Sequence, residues 1–171
     1  MKFILILICT IVAFSQSYTI ENGMFHLEAR ASIIGIDDEF DASGKGLTGE
    51  VNFDTKTFKF VYDLWEIDTG MELRNDHMHE NHLETEEYPE AVFEGKITSF
   101  SDAEIIAEGT FSLHGETKPL NLTAKRSGNK VTVEWKLNLK DYNIEVPRKF
   151  FFAKLNEVLS MDVSFELKEA K

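Results

Sequence analysis

The sequence predicts an all-β protein, an antiparallel β-barrel or sandwich of about eight strands with one short helix. Three observations carry this. Apolar and polar residues alternate with period two along most of the chain. Short turn-forming clusters such as Ser43-Gly44-Lys45-Gly46, His114-Gly115 and Ser127-Gly128-Asn129 separate the runs. Only the stretch near Met71–Glu87 has helical character, and Tyr88-Pro89 ends it, because proline disfavours helix in the residue before it.

The chain opens with a leader. Met1-Lys2 is a short basic start, Phe3–Phe14 is almost unbroken apolar sequence, and Ser15-Gln16-Ser17 offers small residues for cleavage. The apolar run is too short for a permanent membrane-spanning helix. Residues 1–17 are therefore expected to be a signal peptide, and residues 18–171 one exported barrel domain, periplasmic or secreted. Cys9, the one cysteine, lies in the leader, so the mature chain would have no disulfide or thiolate chemistry. A net charge of −12 argues against nucleic acid as a partner.

The strands follow in order. Phe25, Leu27, Ala29 and Ala31 alternate with polar residues, and Val51 and Phe53 flank Asn52. Phe58, Phe60, Tyr62 and Leu64 share one face of a long strand; Val61, Trp65 and Ile67 make its other face partly apolar, so another element should cover that face. After the helix come Phe93, Gly95 and Ile97, then Ile105 to Leu113, then Leu120, Leu122 and Ala124. The clearest alternations are the last two, Val131 to Leu139 and Leu159 to Leu167.

A barrel of about eight strands has room inside for packed side chains or for one ligand. The 14 phenylalanines would make an ordinary core. Small residues on the same inferred faces (Ala29, Gly95, Ala107, Gly109) would instead open a tunnel lined by aromatics. The sequence leaves both open.

Catalytic and metal signatures are weak. No P-loop, dinucleotide fingerprint, HExxH or nucleophile elbow is present, and no enzyme activity or cofactor is expected. His77, His79 and His82 form H-x-H-x-x-H, but on a helix only His79 and His82 share a face, which does not make a tetrahedral site. No metal ligand is assigned, and metal binding through His79 and His82 stands as an alternative.

One ordered set of motifs resembles the YceI-like polyisoprenoid-binding family. It comprises Ile67-Asp68-Thr69-Gly70, Leu73-Arg74, His77-Met78, Tyr88-Pro89 with Phe93 and Gly95, then Gly109 to Pro119, Asp141-Tyr142 and Val146-Pro147. The likeness spans essentially the whole mature chain. It departs at Arg74-Asn75, where the family often has Arg-Asp, and at His82-Leu83, where it often has an aromatic pair. The resemblance implies a lipocalin-like barrel around an apolar tunnel that holds an isoprenoid quinone, a polyprenyl phosphate or another amphiphile.

On that basis the expected tunnel wall is Phe53, Phe58, Phe60, Tyr62, Phe93, Phe111, Trp135 and Phe165. Arg74 and Arg148 are the candidates for a polar or anionic head, because cations are scarce here and guanidinium suits phosphate and carbonyl oxygens. The expected partner is an amphiphilic lipid, with room for transient membrane contact during loading and for a homodimer. A non-catalytic stress or interaction protein with a self-filled barrel is the other alternative.

Overall fold

The computed structural model describes residues 17–33, 36–145, 153–155 and 157–170. Among these residues ten strands form: β1 (Ser17–Ile33), β2 (Ile36–Gly44), β3 (Leu47–Asn52), β4 (Thr57–Asp63), β5 (Glu90–Phe100), β6 (Glu104–Leu113), β7 (Glu116–Ser127), β8 (Lys130–Asn138), β9 (Ala153–Leu155) and β10 (Val158–Glu169). One helix, α1 (Glu72–Asn81), lies between β4 and β5.

Eight strands close the barrel in the order β10-β8-β7-β6-β5-β4-β3-β1, and β1 pairs back onto β10. The described strands pair antiparallel throughout, from Tyr18↔Glu169 on β1–β10 to Phe60↔Phe93 on β4–β5. β2 pairs with β1 from Phe25 to Ile33, overlapping the β10 pairing at Phe25–Glu28, and β9 pairs with β1 beyond it at Ala31–Ile33. The sequence therefore predicts the ring but not these additions. Asp37, Asp38 and Glu39 give β2 no period-two signal, and its pairing with β1 supplies the order instead.

The tight turns follow from residues that tolerate left-handed backbone. β6 and β7 are joined by His114 and Gly115, both at positive φ (50° and 74°). This is the primed geometry that matches strand twist in a two-residue hairpin. Between β3 and β4, Lys56 is left-handed and Asn52 accepts a hydrogen bond from the Thr55 N–H at 2.8 Å.

The barrel has two distinct ends. At one end sit the β3–β4, β5–β6 and β7–β8 turns. Phe53 plugs this end, 4% exposed, with its ring 5.5 Å from Tyr18 and 4.8 Å from Phe100 and the Arg126 guanidinium 5.4 Å above it. At the other end lie α1, the 3-10 turns Leu64–Glu66 and Leu139–Tyr142, and the β6–β7 hairpin. Beyond β4 the chain turns through Leu64–Glu66, where the half-exposed Trp65 stacks on the buried His79 ring of α1 at 4.9 Å and 30°, and Ile67 turns into the barrel interior.

Candidate functional site

The interior is hollow. A cavity of about 530 Å³ runs the length of the barrel, from Ile105, Val131 and Leu167 near the Phe53 end to Met71, Leu73 and Glu145 at the α1 end. That volume falls in the range that holds one medium-sized organic ligand, roughly 300–1,000 Å³. Period-two strands send every second side chain inward, so β4, β5, β6, β8 and β10 each contribute apolar residues.

An aromatic belt crosses the middle of the cavity. Phe60 lies opposite Phe93, and Phe93 opposite Phe111, in successive strand pairs. Phe58 is 4.8 Å from Phe93, Phe165 is 5.2 Å from Phe60, and Trp135 is 6.4 Å from Phe111 in an edge-on contact. Phe58, Phe60, Tyr62, Phe93, Phe111, Trp135 and Phe165 all line the cavity.

Phe53 does not. It follows the last residue of β3, where the turn carries it across the barrel end, so it seals the interior without lining it. Its place in the expected wall is corrected accordingly. Arg148 lies outside the described residues, as do residues 1–16.

The small residues also divide. Ala107 lines the cavity, and the side chain of Ala29 is outside those described. Gly95 and Gly109 face each other across β5–β6 and are absent from the lining. A Cβ on Gly95 would sit 2.2 Å from the Glu108 carbonyl oxygen and 2.5 Å from the Gly109 Cα. These glycines permit a close approach of two strands; they do not widen a tunnel.

Polar lining is confined to one end. Thr69, Arg74, His77, His82 and Glu145 sit there, around α1 and the 3-10 turn that precedes Glu145. Leu73, Arg74, His77 and Met78 share the cavity face of α1, as their three- and four-residue spacings require. His79 points the other way, its Nδ1 3.0 Å from the Thr85 hydroxyl. The histidine triplet is thus split between two faces, and no group of three His, Cys, Asp or Glu among the described residues is arranged to hold a metal.

The lid is pinned from both sides. On its N-terminal side, Asn75 Oδ1 accepts from the Thr69 N–H (2.9 Å) and hydroxyl (2.6 Å), while Asn75 Nδ2 donates to Asp68 (2.9 Å). The Gly70 N–H donates to the same Asp68 oxygen at 2.8 Å. The Asn75 and Gly70 donors hold the Asp68 carboxyl below its ordinary range. Arg74 Nη2 donates to the Thr69 carbonyl at 2.8 Å, which fixes the guanidinium at the cavity mouth.

On its C-terminal side, His114 reaches Glu84 through Nε2 (3.0 Å) and the Tyr142 carbonyl through Nδ1 (3.1 Å). Both partners are acceptors, so both contacts call on ring N–H groups as donors. Tyr88 packs on His114 at 4.7 Å, and Tyr142 on Phe111 at 5.6 Å.

Among the described residues, the buried Tyr62 hydroxyl and Trp135 indole N–H have no hydrogen-bond partner. Burial pushes the Tyr62 phenol well above the usual tyrosine range, with smaller contributions from Glu66 and Asp63, so it stays protonated.

Sequence reasoning missed the apolar part of the lid. Met71, Leu73, Met78 and Leu83 line the mouth. The spacing of Leu73 and Met78 around Arg74 and His77 was the available signal, obscured by the charge-rich composition of α1.

Comparison with solved structures shows the same fold. A polyisoprenoid-binding domain from Saccharophagus degradans implicated in plant cell wall breakdown aligns with a TM-score of 0.68 at 15% identity, over 90% of this chain and 98% of that one. BcnA of Burkholderia cenocepacia aligns at 0.65 and 13% identity, over 84% and 96%. A YceI protein of Campylobacter jejuni aligns at 0.58 and 16%, over 75% and 85%. No curated protein sequence matches the chain. A YceI-like domain matches residues 18–168, all but the first 17 and the last three residues, and the chain therefore belongs to the YceI-like family.

Proposed function

We propose that this protein is an exported, non-catalytic carrier or sequestering protein that holds one long-chain amphiphilic lipid of the isoprenoid class. The observation that carries the reading is the segregation of the cavity: an apolar tube with a polar rim at one end only. An amphiphile has that same division. Its tail would contact Phe58, Phe60, Phe93, Phe111, Trp135 and Phe165, and its head would meet Arg74 at the rim.

The energetics favour such a ligand. Each buried methylene contributes about 0.8 kcal/mol, so one isoprene unit supplies roughly 3 kcal/mol before ordering costs. Affinity then needs little recognition of the head. The polyisoprenoid-binding domain among the structural relatives supports an isoprenoid tail, and the apolar leader supports export.

The test is native mass spectrometry of protein expressed with its leader, followed by solvent extraction of any bound molecule. A stoichiometric isoprenoid is expected. A clean apo mass that gains nothing from added quinone or polyprenyl phosphate would favour a barrel that serves as an interaction scaffold.

A further inference from the structure

The barrel wall is split between β7 and β8. The two strands pair only at Lys125↔Thr132, Arg126↔Val131 and Ser127↔Lys130, next to their turn. From Glu116 to Ala124 no ladder joins β7 to β8, although over that stretch β7 is paired with β6, and β8 is paired with β10 along its whole length. Pro119 supplies a local cause. Odd-numbered residues of β7 turn their backbone groups toward β8, by the alternation of an antiparallel ladder. Pro119 has no N–H to offer there. Beyond the split, Asn143 Nδ2 donates to Glu116 (2.8 Å) and His114 reaches the Tyr142 carbonyl, so the opening is bounded at both ends.

The split opens onto the cavity. Leu120, Leu122 and Ala124 on β7 face Trp135 and Leu137 on β8, and all five line the cavity. The three β7 residues are only partly buried although they point inward. Trp135 is also half-buried, and its indole N–H has no acceptor, so no hydrogen bond locks the ring in place. The cavity, about 530 Å³, is of a size for one medium-sized ligand. A long polyprenyl chain exceeds that and must leave the barrel somewhere, and Phe53 plugs the far end.

We propose that the β7–β8 split is a side port through which the distal part of a long isoprenoid chain leaves the barrel, with Trp135 as its gate. This rests on the lipid-binding reading. It adds a selection rule: the closed part of the cavity holds short chains, and the port admits long ones.

The experiment compares loading of a short prenol (farnesol) and a long one (solanesol), read by native mass spectrometry. Asn121→Cys/Lys136→Cys carries exposed cysteines on the two sides of the split, and a short reductant-cleavable bis-thiosulfonate cross-link pins them. A Glu94→Cys/Thr110→Cys protein, cross-linked across the paired β5–β6 strands, is the control. Leu122→Trp fills the port without a cross-link. The expected result is that pinning leaves farnesol loading unchanged, and that pinning and filling each lower solanesol loading by roughly tenfold or more. Reductant restores the pinned protein, and the control is unaffected. Equal solanesol loading in pinned, filled and wild-type protein would overturn the port while leaving lipid binding intact. If neither prenol loads on any form, the lipid-binding reading itself fails, and the port with it.

Discussion

His114 Nε2 lies 3.0 Å from a carboxylate oxygen of Glu84, and this contact ties the β6–β7 hairpin to the segment that follows the lid helix. The histidine side chain is only 11% exposed, whereas Glu84 is half exposed, so the pair gains strength from one buried partner but is partly screened at the other. The same ring holds the Tyr142 carbonyl. One side chain thus joins three separate pieces of the cavity rim.

His114→Ala should therefore loosen the rim more than the barrel. The expected loss of global stability is about 1–2 kcal/mol, that of a partly screened, charge-assisted hydrogen bond plus an unpaired carbonyl. Uptake and release of a fluorescent prenol should accelerate by a larger factor than this change predicts for global unfolding. Urea denaturation and stopped-flow exchange measure the two. Glu84→Gln, which keeps a neutral hydrogen bond, should give a smaller effect on both.

The Asn75 amide is used from both ends, its oxygen by Thr69 and its nitrogen by Asp68. Asn75→Asp would remove the donor to Asp68 and set two carboxylates against each other. Asp68 is held below its ordinary value in the fold. Its contribution is thus present above the unfolded carboxylate pKa and lost as pH falls through the folded value. The variant should have a lower urea midpoint than wild type at neutral pH, with an unchanged m-value. The gap should narrow on acidification, once one carboxyl of the pair is protonated and can donate. A gap independent of pH would show that the Asp68–Asn75 contact is not what the substitution breaks.

Much of this architecture was legible in the sequence, and the exceptions have physical causes. Val131 to Leu139 and Leu159 to Leu167 alternate cleanly because one face of β8 and of β10 meets the cavity. Trp135 and Phe165 could thus be placed on the inner face from spacing alone. Phe53 has the same alternation as Val51, yet it lies past the last paired residue of β3, where period two no longer sets direction. Hollow and filled interiors give the same pattern of inward residues, so the cavity itself was not readable. The paired glycines on β5 and β6 were misleading for a related reason. A missing side chain can mean open space or a close backbone approach, and here the neighbouring strand occupies the space. The β7–β8 split also had a signal, Pro119, but proline in a strand marks an unpaired edge only once the neighbour's register is known.

Tyr62 offers a test of burial without a partner. Its hydroxyl makes no hydrogen bond, and Gly44 leaves it room: a Cβ at that position would lie 1.9 Å from the oxygen. Tyr62→Phe should leave stability unchanged or raise it by up to about 1 kcal/mol, because an unsatisfied buried group is removed with its shape kept. The folded pKa is raised, so the stability tied to the neutral phenol is fully present below the unfolded value near 10 and is lost as pH rises above it. Wild type should therefore lose stability more steeply than Tyr62→Phe in strongly alkaline buffer. Parallel curves for the two proteins would place the alkaline transition elsewhere.

Phe60→Asp separates a hollow barrel from a filled one. Phe60 is only partly buried and sits in the aromatic belt between Phe58, Phe93 and Phe165. In a filled core an unpaired carboxylate there would cost several kcal/mol and unfold the chain. In a water-reachable cavity the charge keeps part of its hydration, and the fold survives with a reduced midpoint. An apolar tail, however, cannot pass a charge at the centre of its path. The variant should retain its β-sheet circular dichroism and a cooperative urea transition, yet lose prenol uptake by roughly a hundredfold, the effect of about 3 kcal/mol. Phe60→Leu should restore most of the uptake, since it returns apolar contact without the charge. A folded Phe60→Asp protein that still loads prenol at the wild-type level would move the ligand out of the belt.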